Sequence, residues 1–256
     1  MKNKRTPPSS FRLLAVDVSN SFTKIALFSG ADIRRKITLP TRDLKKEYLR
    51  RKIGAWNYDA AIISSVVPKV KTALKKFLGA TPTHWVTHRS PLHVGIEYPK
   101  PSSIGADRLC NAEACAKIYG TPVIAVDFGT AVTFDVISAK GNYIGGVIAP
   151  GLRAMTDYLH ERTALLPRVQ LREPRAALGK TTIEAMRVGA IIGYRGLIRG
   201  ILEELAAEQF KNRKPLLVAT GGDAPLVASR MREFTAIDPH LTLRGLYFIA
   251  VSAFKQ

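Results

Sequence analysis

Residues 123–137 read Val-Ile-Ala-Val-Asp-Phe-Gly-Thr-Ala-Val-Thr-Phe-Asp-Val-Ile, the most informative segment of the chain for predicting the fold. It predicts an apolar strand, a tight turn at residues 127–130 and a second strand in which apolar and polar residues alternate. Successive backbone N–H groups in such a turn form a concavity that suits a phosphate group. Gly129 lets a ligand approach the backbone closely. Three side chains around the turn offer a carboxylate and two hydroxyls: Asp127, Thr130 and Thr133.

A related segment lies 110 positions earlier in the chain. Residues 13–28 read Leu-Leu-Ala-Val-Asp-Val-Ser-Asn-Ser-Phe-Thr-Lys-Ile-Ala-Leu-Phe. The Ala-Val-Asp sequence ending at Asp17 matches the one ending at Asp127, and Thr23 falls on Thr133. Each segment predicts a strand, a polar turn and a strand. We therefore expect two related halves, with a basic tail at 1–11, a first half at 12–119 and a second half at 120–256.

A third element completes the pattern late in the chain. The apolar residues 216–220 predict a buried strand that runs into Gly221-Gly222, where bare backbone allows a flat base to approach. Two polar hairpin turns followed by such a strand resemble the layout of the actin-like, sugar-kinase and Hsp70-like ATPases. The resemblance implies an α/β fold of two ribonuclease-H-like halves, each a mixed sheet flanked by helices, with an interdomain cleft.

Composition narrows the class of protein. The chain has 256 residues, 46% of them hydrophobic, which is enough for a sizeable core. It contains no apolar run of 18 residues, so we expect no membrane span. Cys110 and Cys115 are the only cysteines, and their spacing fits neither a disulfide framework nor a metal knuckle, which favours a reduced cytoplasmic setting. The five histidines show no metal-ligand pattern.

The formal net charge of +19 requires an explanation. Residues 1–52 hold 14 Lys and Arg against 4 Asp and Glu. A basic surface attracts nucleic acid, but it also steers anionic small molecules. No zinc finger, RNP aromatic pattern or heptad zipper accompanies the charge. A solvated basic surface is therefore favoured, and nucleic acid is not expected as a partner.

Several motifs make the resemblance more specific. The chain is similar to type III pantothenate kinases from about residue 13 onward, in segments spread over most of its length: 105–108 (Gly-Ala-Asp-Arg), 127–135, 145–151, 180–182 with Gly189, and 220–222. The resemblance implies ATP-dependent phosphorylation of pantothenate to 4′-phosphopantothenate, the first step of coenzyme A biosynthesis. It also implies a homodimer that pairs through the second half, for which the predicted helix 182–209 could supply an apolar face.

The resemblance implies roles for the acceptor site. Asp107 would be the general base that takes the proton from the primary hydroxyl of pantothenate. As a bare residue it would suit a helix N-cap, and the positive end of a helix keeps a carboxylate ionised. Arg108 would meet the carboxylate of pantothenate with its planar fork. The implied substrate-binding residues are Tyr98, Gly105, Ala106, Asp107, Arg108 and Thr182.

The resemblance likewise implies an ATP site with two kinds of cation. The ATP-binding residues would be Asp17, Val18, Ser19, Asn20, Ser21, Phe22, Thr23 and Lys24 in the first turn, with Thr130, Gly221 and Gly222 in the second half. Asp17 would orient a magnesium ion through water, and Asp127 would coordinate potassium or ammonium. Magnesium suits phosphoryl transfer because charge on the β- and γ-oxygens must be neutralised.

The first turn departs from the family pattern, which is Asp-x-Gly-Asn-Thr. Ser21 keeps a hydroxyl in place of Thr, and Ser19 replaces Gly. If position 19 requires a positive φ, a non-glycine residue there costs about 1 kcal/mol or more. Weaker ATP binding or a shifted loop is then expected. Lys100 also stands where the family has Asn, which adds a positive charge.

Two alternatives stay open from the sequence. One is another small-molecule kinase of the same superfamily. The other is a non-catalytic accessory or regulatory protein that kept the fold, an idea favoured by the altered first turn and the charge of +19.

Overall fold

The computed structural model describes residues 11–211 and 214–254. The predicted basic tail at 1–11 lies outside the described residues except for Phe11. The chain divides into two compact units. The first comprises the residues up to 117 together with those from 240 onward, and the second comprises residues 118–239.

The strands and helices are as follows. The strands are β1 (Arg12–Val18), β2 (Phe22–Ser29), β3 (Asp32–Pro40), β4 (Ala60–Ser65), β5 (Thr83–Trp85), β6 (Gly95–Ile96), β7 (Val123–Phe128), β8 (Ala131–Ile137), β9 (Asn142–Pro150), β10 (Leu216–Thr220) and β11 (Ala236–Ile237). The helices are α1 (Lys46–Ile53), α2 (Lys71–Leu78), α3 (Ala106–Ile118), α4 (Ala154–Arg162), α5 (Thr182–Gln209), α6 (Ala224–Val227) and α7 (Leu241–Ala253).

The first unit is built on a five-stranded sheet in the order β3-β2-β1-β4-β5. β2 runs antiparallel to β1 and β3, whereas β4 runs parallel to β1 and β5. Successive side chains of a strand point to opposite faces. Leu14 accordingly packs in one core with Leu49 of α1 and Leu74 of α2, and Leu13 packs in another with Cys110 of α3. Both faces of β1 are therefore buried, which explains its continuous apolar run.

The C-terminal helix belongs to the first unit, whereas the sequence placed it in the second half. α7 packs against β1, β2 and β4. Leu243 and Leu246 enter the same core as Leu13, and the ring of Tyr247 stacks on Phe28 with 5.2 Å between centroids. The apolar pattern of residues 243–254 predicts a buried helix, but periodicity carries no information about which sheet that helix covers.

The second unit repeats the hairpin. Its strands run in the order β11-β10-β7-β8-β9, with β7 antiparallel to β8 and parallel to β10. The predicted strands of 123–137 and the 28-residue helix α5 are confirmed. One core joins the sheet to α5, with Ile191 and Ile198 packed among residues that include Ile124 and Phe134. The predicted α/β class, with two mixed sheets flanked by helices, is confirmed.

The sequence pattern gives no prediction for three short elements, β6, β11 and α6. They have two, two and four residues, too few to show a period. Within the described residues, no helix combines the length and apolar character needed to cross a membrane.

Candidate active site

The first predicted phosphate turn joins β1 to β2 and is held by backbone and side-chain bonds. The N–H of Ser19 donates to the carbonyl of Phe22 (3.1 Å), and the N–H of Val66 donates to the carbonyl of Val18 (3.1 Å). Asn20, Ser21 and Phe22 are exposed. The turn is thus fixed at its base and presents its tip to solvent.

Thr41 holds this turn although it lies about 20 residues further along the chain, and no sequence pattern marks that role. Its hydroxyl donates to the carbonyl of Ser19 (2.7 Å), and its N–H donates to the carbonyl of Ser21 (3.0 Å). The same hydroxyl lies 2.9 Å from that of Thr23. Thr23 is fully buried, so its side chain supports the turn rather than facing a ligand.

Thr41→Val is expected to loosen the turn without changing side-chain volume. The carbonyl of Ser19 and the buried hydroxyl of Thr23 each lose a partner, which predicts a loss of about 1–3 kcal/mol in the free energy of unfolding. The KM for ATP, which the sequence predicts to bind at this turn, should rise because the turn is no longer held. Thermal unfolding and steady-state kinetics measure the two effects. Thr72→Val, at an exposed position of α2, is the matched control, and equal behaviour of the two variants would contradict the role of Thr41.

The strain expected at Ser19 is absent. No described non-glycine residue has a positive φ. Serine therefore occupies this position without the left-handed conformation that would have cost about 1 kcal/mol. The expectation that ATP binding is weakened by backbone strain in the turn loses its basis.

Asp17 and Asp107 lie in the same part of the first unit. Burial raises the pKa of the Cys110 thiol well above its usual range, and the carboxylates of Asp17, Asp107 and Glu113 raise it further. Asp17 is itself buried near the end of β1. Asp17, predicted to orient magnesium, and Asp107, the predicted base, therefore both raise the pKa of the same buried thiol.

Asp107 lies in the first turn of α3. The helix begins at Ala106, so Asp107 is the second helical residue and not the N-cap that the sequence suggested. Its Oδ1 accepts the backbone N–H of Arg108 (2.9 Å). A Cβ atom at Gly105 would lie 2.5 Å from this same Oδ1. Glycine at 105 thus leaves the space that the Asp107 carboxylate occupies.

A cavity of about 580 Å³ lies beside this helix start, within the first unit. It is lined by residues that follow β4 and β5 and by the segment leading into α3, among them Ser65, Val66, Thr87, His88, Gly105 and Ala106. Val66 is the residue bonded to Val18, so the cavity adjoins the first turn. Tyr98 is exposed and Arg108 is half-buried. Neither of them lines this cavity, and Asp107 does not line it either, although it directly follows Ala106, which does. A small-molecule acceptor fits a volume of this size.

The second turn is held in a different way. The N–H of Gly129 donates to the carbonyl of Ala131 (3.1 Å), and that of Gly151 donates to the carbonyl of Thr130 (3.1 Å). A Cβ at Gly151 would lie 2.4 Å from the carbonyl oxygens of Gly129 and Thr130. The start of the loop after β9 therefore packs directly under the turn, and Thr130 stays exposed.

Asp127 and Gly221 meet where two parallel strands end. Thr220 of β10 pairs with Asp127 of β7. Gly221 has a φ of 96°, and a Cβ there would lie 2.5 Å from both Asp127 Oδ1 and the carbonyl oxygen of Phe128. The Asp127 carboxylate oxygen and the Phe128 carbonyl oxygen thus both lie beside Gly221, next to the space that a side chain there would occupy. Oxygen ligands of this kind suit a hard cation, so these residues fit the predicted potassium or ammonium site.

Asp223 was not singled out from the sequence, yet it follows the exposed Gly222 directly. Its N–H donates to the carbonyl of Phe128 (3.1 Å), which ties the Gly-Gly segment to the second turn. Burial raises the pKa of the Asp223 carboxyl, and the charge of Arg153 partly offsets this. The sequence alone could not have identified Asp223 as a candidate site residue, because its burial and its contacts arise only in the folded unit.

Thr182 lies in the second unit, at the exposed first position of α5. Thr181 caps the helix by accepting the N–H of Glu184 (3.2 Å), and Glu184 Oε2 accepts the N–H of Lys180 (2.9 Å). The remaining acceptor residues, Tyr98 and 105–108, belong to the first unit. The Lys-Thr-Thr motif is therefore a helix start with reciprocal capping.

Across residues 11–211 and 214–254, no group of three or more His, Cys, Asp or Glu could hold a metal ion. A magnesium ion bound with a nucleotide needs few protein ligands, because phosphate oxygens and waters fill most of its six positions. The single buried carboxylate of Asp17 beside the first turn fits that mode.

Solved structures share this fold at low sequence identity. A Baf family protein from Campylobacter jejuni aligns with a TM-score of 0.63 at 21% identity, over 94% of this chain and 98% of that one. MreB 5 of Spiroplasma citri, in a structure bound to AMPPNP, aligns with a TM-score of 0.53 at 12% identity, over 97% and 98%. These similarities show the actin-like ATPase fold that the sequence predicted.

Sequence relatives are much closer. The sequence profile described as type III pantothenate kinase matches residues 13–204. A type III pantothenate kinase of Akkermansia muciniphila is 47% identical over 238 residues, covering 93% of this chain and 97% of that protein. One of Methylacidiphilum infernorum is 42% identical over 245 residues, covering 95% and 90%. This chain therefore belongs to the type III pantothenate kinase family.

Proposed function

We propose that this protein transfers the γ-phosphoryl group of ATP to the primary hydroxyl of pantothenate, giving 4′-phosphopantothenate for coenzyme A biosynthesis. Family membership supports the reaction. The structural observation that carries the residue roles is the position of Asp107 at the start of α3. It directly follows Gly105 and Ala106, which line the cavity next to the β1–β2 turn.

In this proposal Asp107 is the general base. The partial positive charge at the start of α3 and the N–H of Arg108 both favour its ionised form. As the hydroxyl oxygen of pantothenate attacks the γ-phosphorus, its proton passes to the Asp107 carboxylate, and the bond to the leaving ADP breaks. Arg108 would pair with the carboxylate of pantothenate and so align the reacting hydroxyl.

The turns would bind the phosphates of ATP. In the first turn, the exposed tip at Asn20 and Ser21 offers backbone N–H groups and a hydroxyl. In the second, the exposed Thr130 offers another hydroxyl. Gly222 is also exposed and lacks a side chain, so it would allow the adenosine to lie against backbone.

Two cations complete the proposal. Asp17 would orient magnesium through water, and Asp127 with the carbonyl of Phe128 would hold potassium or ammonium. When bound, these ions neutralise charge on the phosphate oxygens. Asp17 and Asp127 keep the ligand oxygens fixed at the ends of β1 and β7.

Exchange of potassium for sodium at constant ionic strength is expected to depress the rate of phosphorylation sharply. Sodium is smaller, so oxygens spaced for potassium or ammonium would not coordinate it equally well. Asp127→Asn should remove most of the difference between the two salts, because it removes the charged ligand. Initial rates in each salt measure this. Equal rates of the unmodified protein in both salts would remove Asp127 from its assigned role.

We further propose that the protein is a homodimer that pairs through α5. Four exposed glycines follow one stripe of this helix, and a Cβ built at any of them meets no atom within 4 Å: Gly189, Gly193, Gly196 and Gly200. The exposed Ile183 and Ile192 lie on the same helix. Each glycine inside a helix costs about 1 kcal/mol relative to alanine. Close approach of a second helix would offset that cost.

Gly196→Leu is expected to convert the dimer to a folded monomer. Leucine is a better helix former than glycine, so the helix itself should not weaken. Size-exclusion chromatography with light scattering gives the mass, and Glu208→Leu at the far end of α5 is the control. An unchanged dimer in Gly196→Leu would place the interface elsewhere.

The experiment that tests the proposed function compares acceptors. The protein is incubated with ATP, magnesium and potassium in the presence of pantothenate, of sugars or of other hydroxy acids, and phosphorylated products are identified by mass spectrometry. Pantothenate should be preferred, with the phosphate on its primary hydroxyl. Preference for a sugar would favour the alternative of another small-molecule kinase. A cytoplasmic location belongs to the same proposal, supported by two buried cysteines that form no disulfide.

A further inference from the structure

A second cavity, of about 410 Å³, lies where the loop before α5 meets the start of that helix. Four cationic side chains line it: Arg172, Arg175, Lys180 and Arg187. None of the four forms an ion pair with any described residue. The cavity therefore gathers positive charge that the unit itself does not neutralise.

Two carboxylates also line the cavity, and both are engaged. Glu173 pairs at two points with Arg195, at 3.0 and 2.6 Å, and these hydrogen bonds lower the pKa of Glu173. Glu184 Oε2 accepts the N–H of Lys180 within the helix cap. The negative charge of Glu173 is thus neutralised by Arg195, which is not one of the four cationic residues of the cavity. Glu184 contributes a single negative charge against those four positive charges.

Arg187 and Arg195 form an internal comparison. They lie eight residues apart on α5, and both are buried. All three guanidinium nitrogens of Arg195 donate hydrogen bonds, because besides Glu173 it reaches the carbonyls of Val227 (3.1 Å) and Leu226 (2.8 Å). Arg187 donates only through Nε, to the carbonyl of Gln170 (3.3 Å), and within the described residues its terminal nitrogens have no partner.

A buried guanidinium without a counter-charge is costly. The penalty for taking such a charge out of water is several kcal/mol, and good hydrogen bonds to an anion offset it. Arg187 is 9% exposed and lines the cavity, so its open fork faces that space. The start of a 28-residue helix adds its partial positive charge at the same place.

We infer that this cavity binds the phosphate group of a small molecule, held by the fork of Arg187 with Lys180 and Arg175 around it. A dianion suits several cations and the bidentate geometry of arginine. The volume suits a small metabolite and not a macromolecule. The inference does not depend on the proposed kinase activity. Because the cavity adjoins Thr182, its test has to separate phosphate from pantothenate.

Titration calorimetry with inorganic phosphate tests this on the full chain. Saturating ADP and magnesium are present, so that the predicted nucleotide turns are occupied. One phosphate should bind, and Arg187→Gln should weaken its binding by about tenfold or more, the usual worth of a charged hydrogen bond. Arg168→Gln, exposed in the same loop but outside the cavity, is the matched control and should bind as the unmodified protein does.

A second variant keeps the test decisive. Arg175 and Lys180 are exposed, so their combined change to Gln should weaken phosphate binding without affecting the fold, even if Arg187→Gln does not fold. Phosphate affinity that is unchanged in this double variant would overturn the inference. Displacement of the bound phosphate by pantothenate would also overturn it, since the cavity would then belong to the acceptor site. Loss of kinase activity has no bearing on either outcome.

Discussion

Asp107→Asn is expected to lower kcat for pantothenate phosphorylation by about 10²–10⁴-fold, the range supplied by a positioned general base. The substitution is isosteric, and the amide oxygen of asparagine can still accept the N–H of Arg108. The start of α3 and the cavity beside it should therefore keep their shape. What disappears is the group that takes the hydroxyl proton.

Three measurements separate this from a folding defect. The melting temperature and the affinity for ATP should match those of the unmodified protein, while kcat falls. Asp157→Asn, at an exposed position of α4, is the control and should change none of the three. A kcat within a few fold of normal would show that Asp107 is not the base, whatever happens to KM.

Gly221→Ala is expected to destabilise the second unit and to impair ATP binding together. The alanine would have to adopt a φ of 96°, which costs about 1–2 kcal/mol, and overpacking against Asp127 and Phe128 adds about 1–3 kcal/mol. A loss of about 2–5 kcal/mol lowers the melting temperature by about 4–20 °C in a protein of this size. The displaced Asp127 would also leave its position for the monovalent cation.

The next residue provides the control. A Cβ at Gly222 meets no atom within 4 Å, and its φ is not in the left-handed region. Gly222→Ala should therefore cost little stability, although the added methyl stands at the proposed adenosine surface and should raise the KM for ATP. Equal stability loss in the two variants, or none in Gly221→Ala, would contradict the packing described at the end of β10.

Local pattern was enough to predict the hairpins and α5. Apolar and polar residues follow one another along 123–137 in a pattern that suits a pair of strands. Residues 182–209 keep helical periodicity, and a capping threonine precedes them. The repeat of Ala-Val-Asp at Asp17 and Asp127 predicted two related sheets. In each of these cases the signal lies within a few residues of the structure it specifies.

Contacts between distant residues could not be predicted in the same way. Thr41 holds Ser19 across 22 positions, and nothing near Thr41 in the sequence marks that role. The same limit explains why α7 was assigned to the second half. At Ser19, the family pattern suggested a strained backbone, because glycine usually stands there. The backbone of this chain forms the turn without a positive φ at Ser19. That strain had favoured a weakened accessory protein, and its absence favours an active enzyme.

The roles given to Asp107 and Arg108 came from the resemblance, and the structure adds physical reasons that support the role of Asp107. Glycine at 105 leaves room for the Asp107 carboxylate, and the helix start favours its charge. Neither Tyr98 nor Arg108 lines the cavity beside α3, so their parts in acceptor binding stay predictions. Spacing alone could not have separated these cases, because all these residues lie within positions 98–108.

The most direct test of the proposed chemistry is ADP release from ATP, measured in a coupled assay with magnesium and potassium, with and without pantothenate. We predict that ADP release depends on pantothenate and equals the 4′-phosphopantothenate formed. ADP release that is independent of pantothenate, or no release at all by folded protein, would contradict it.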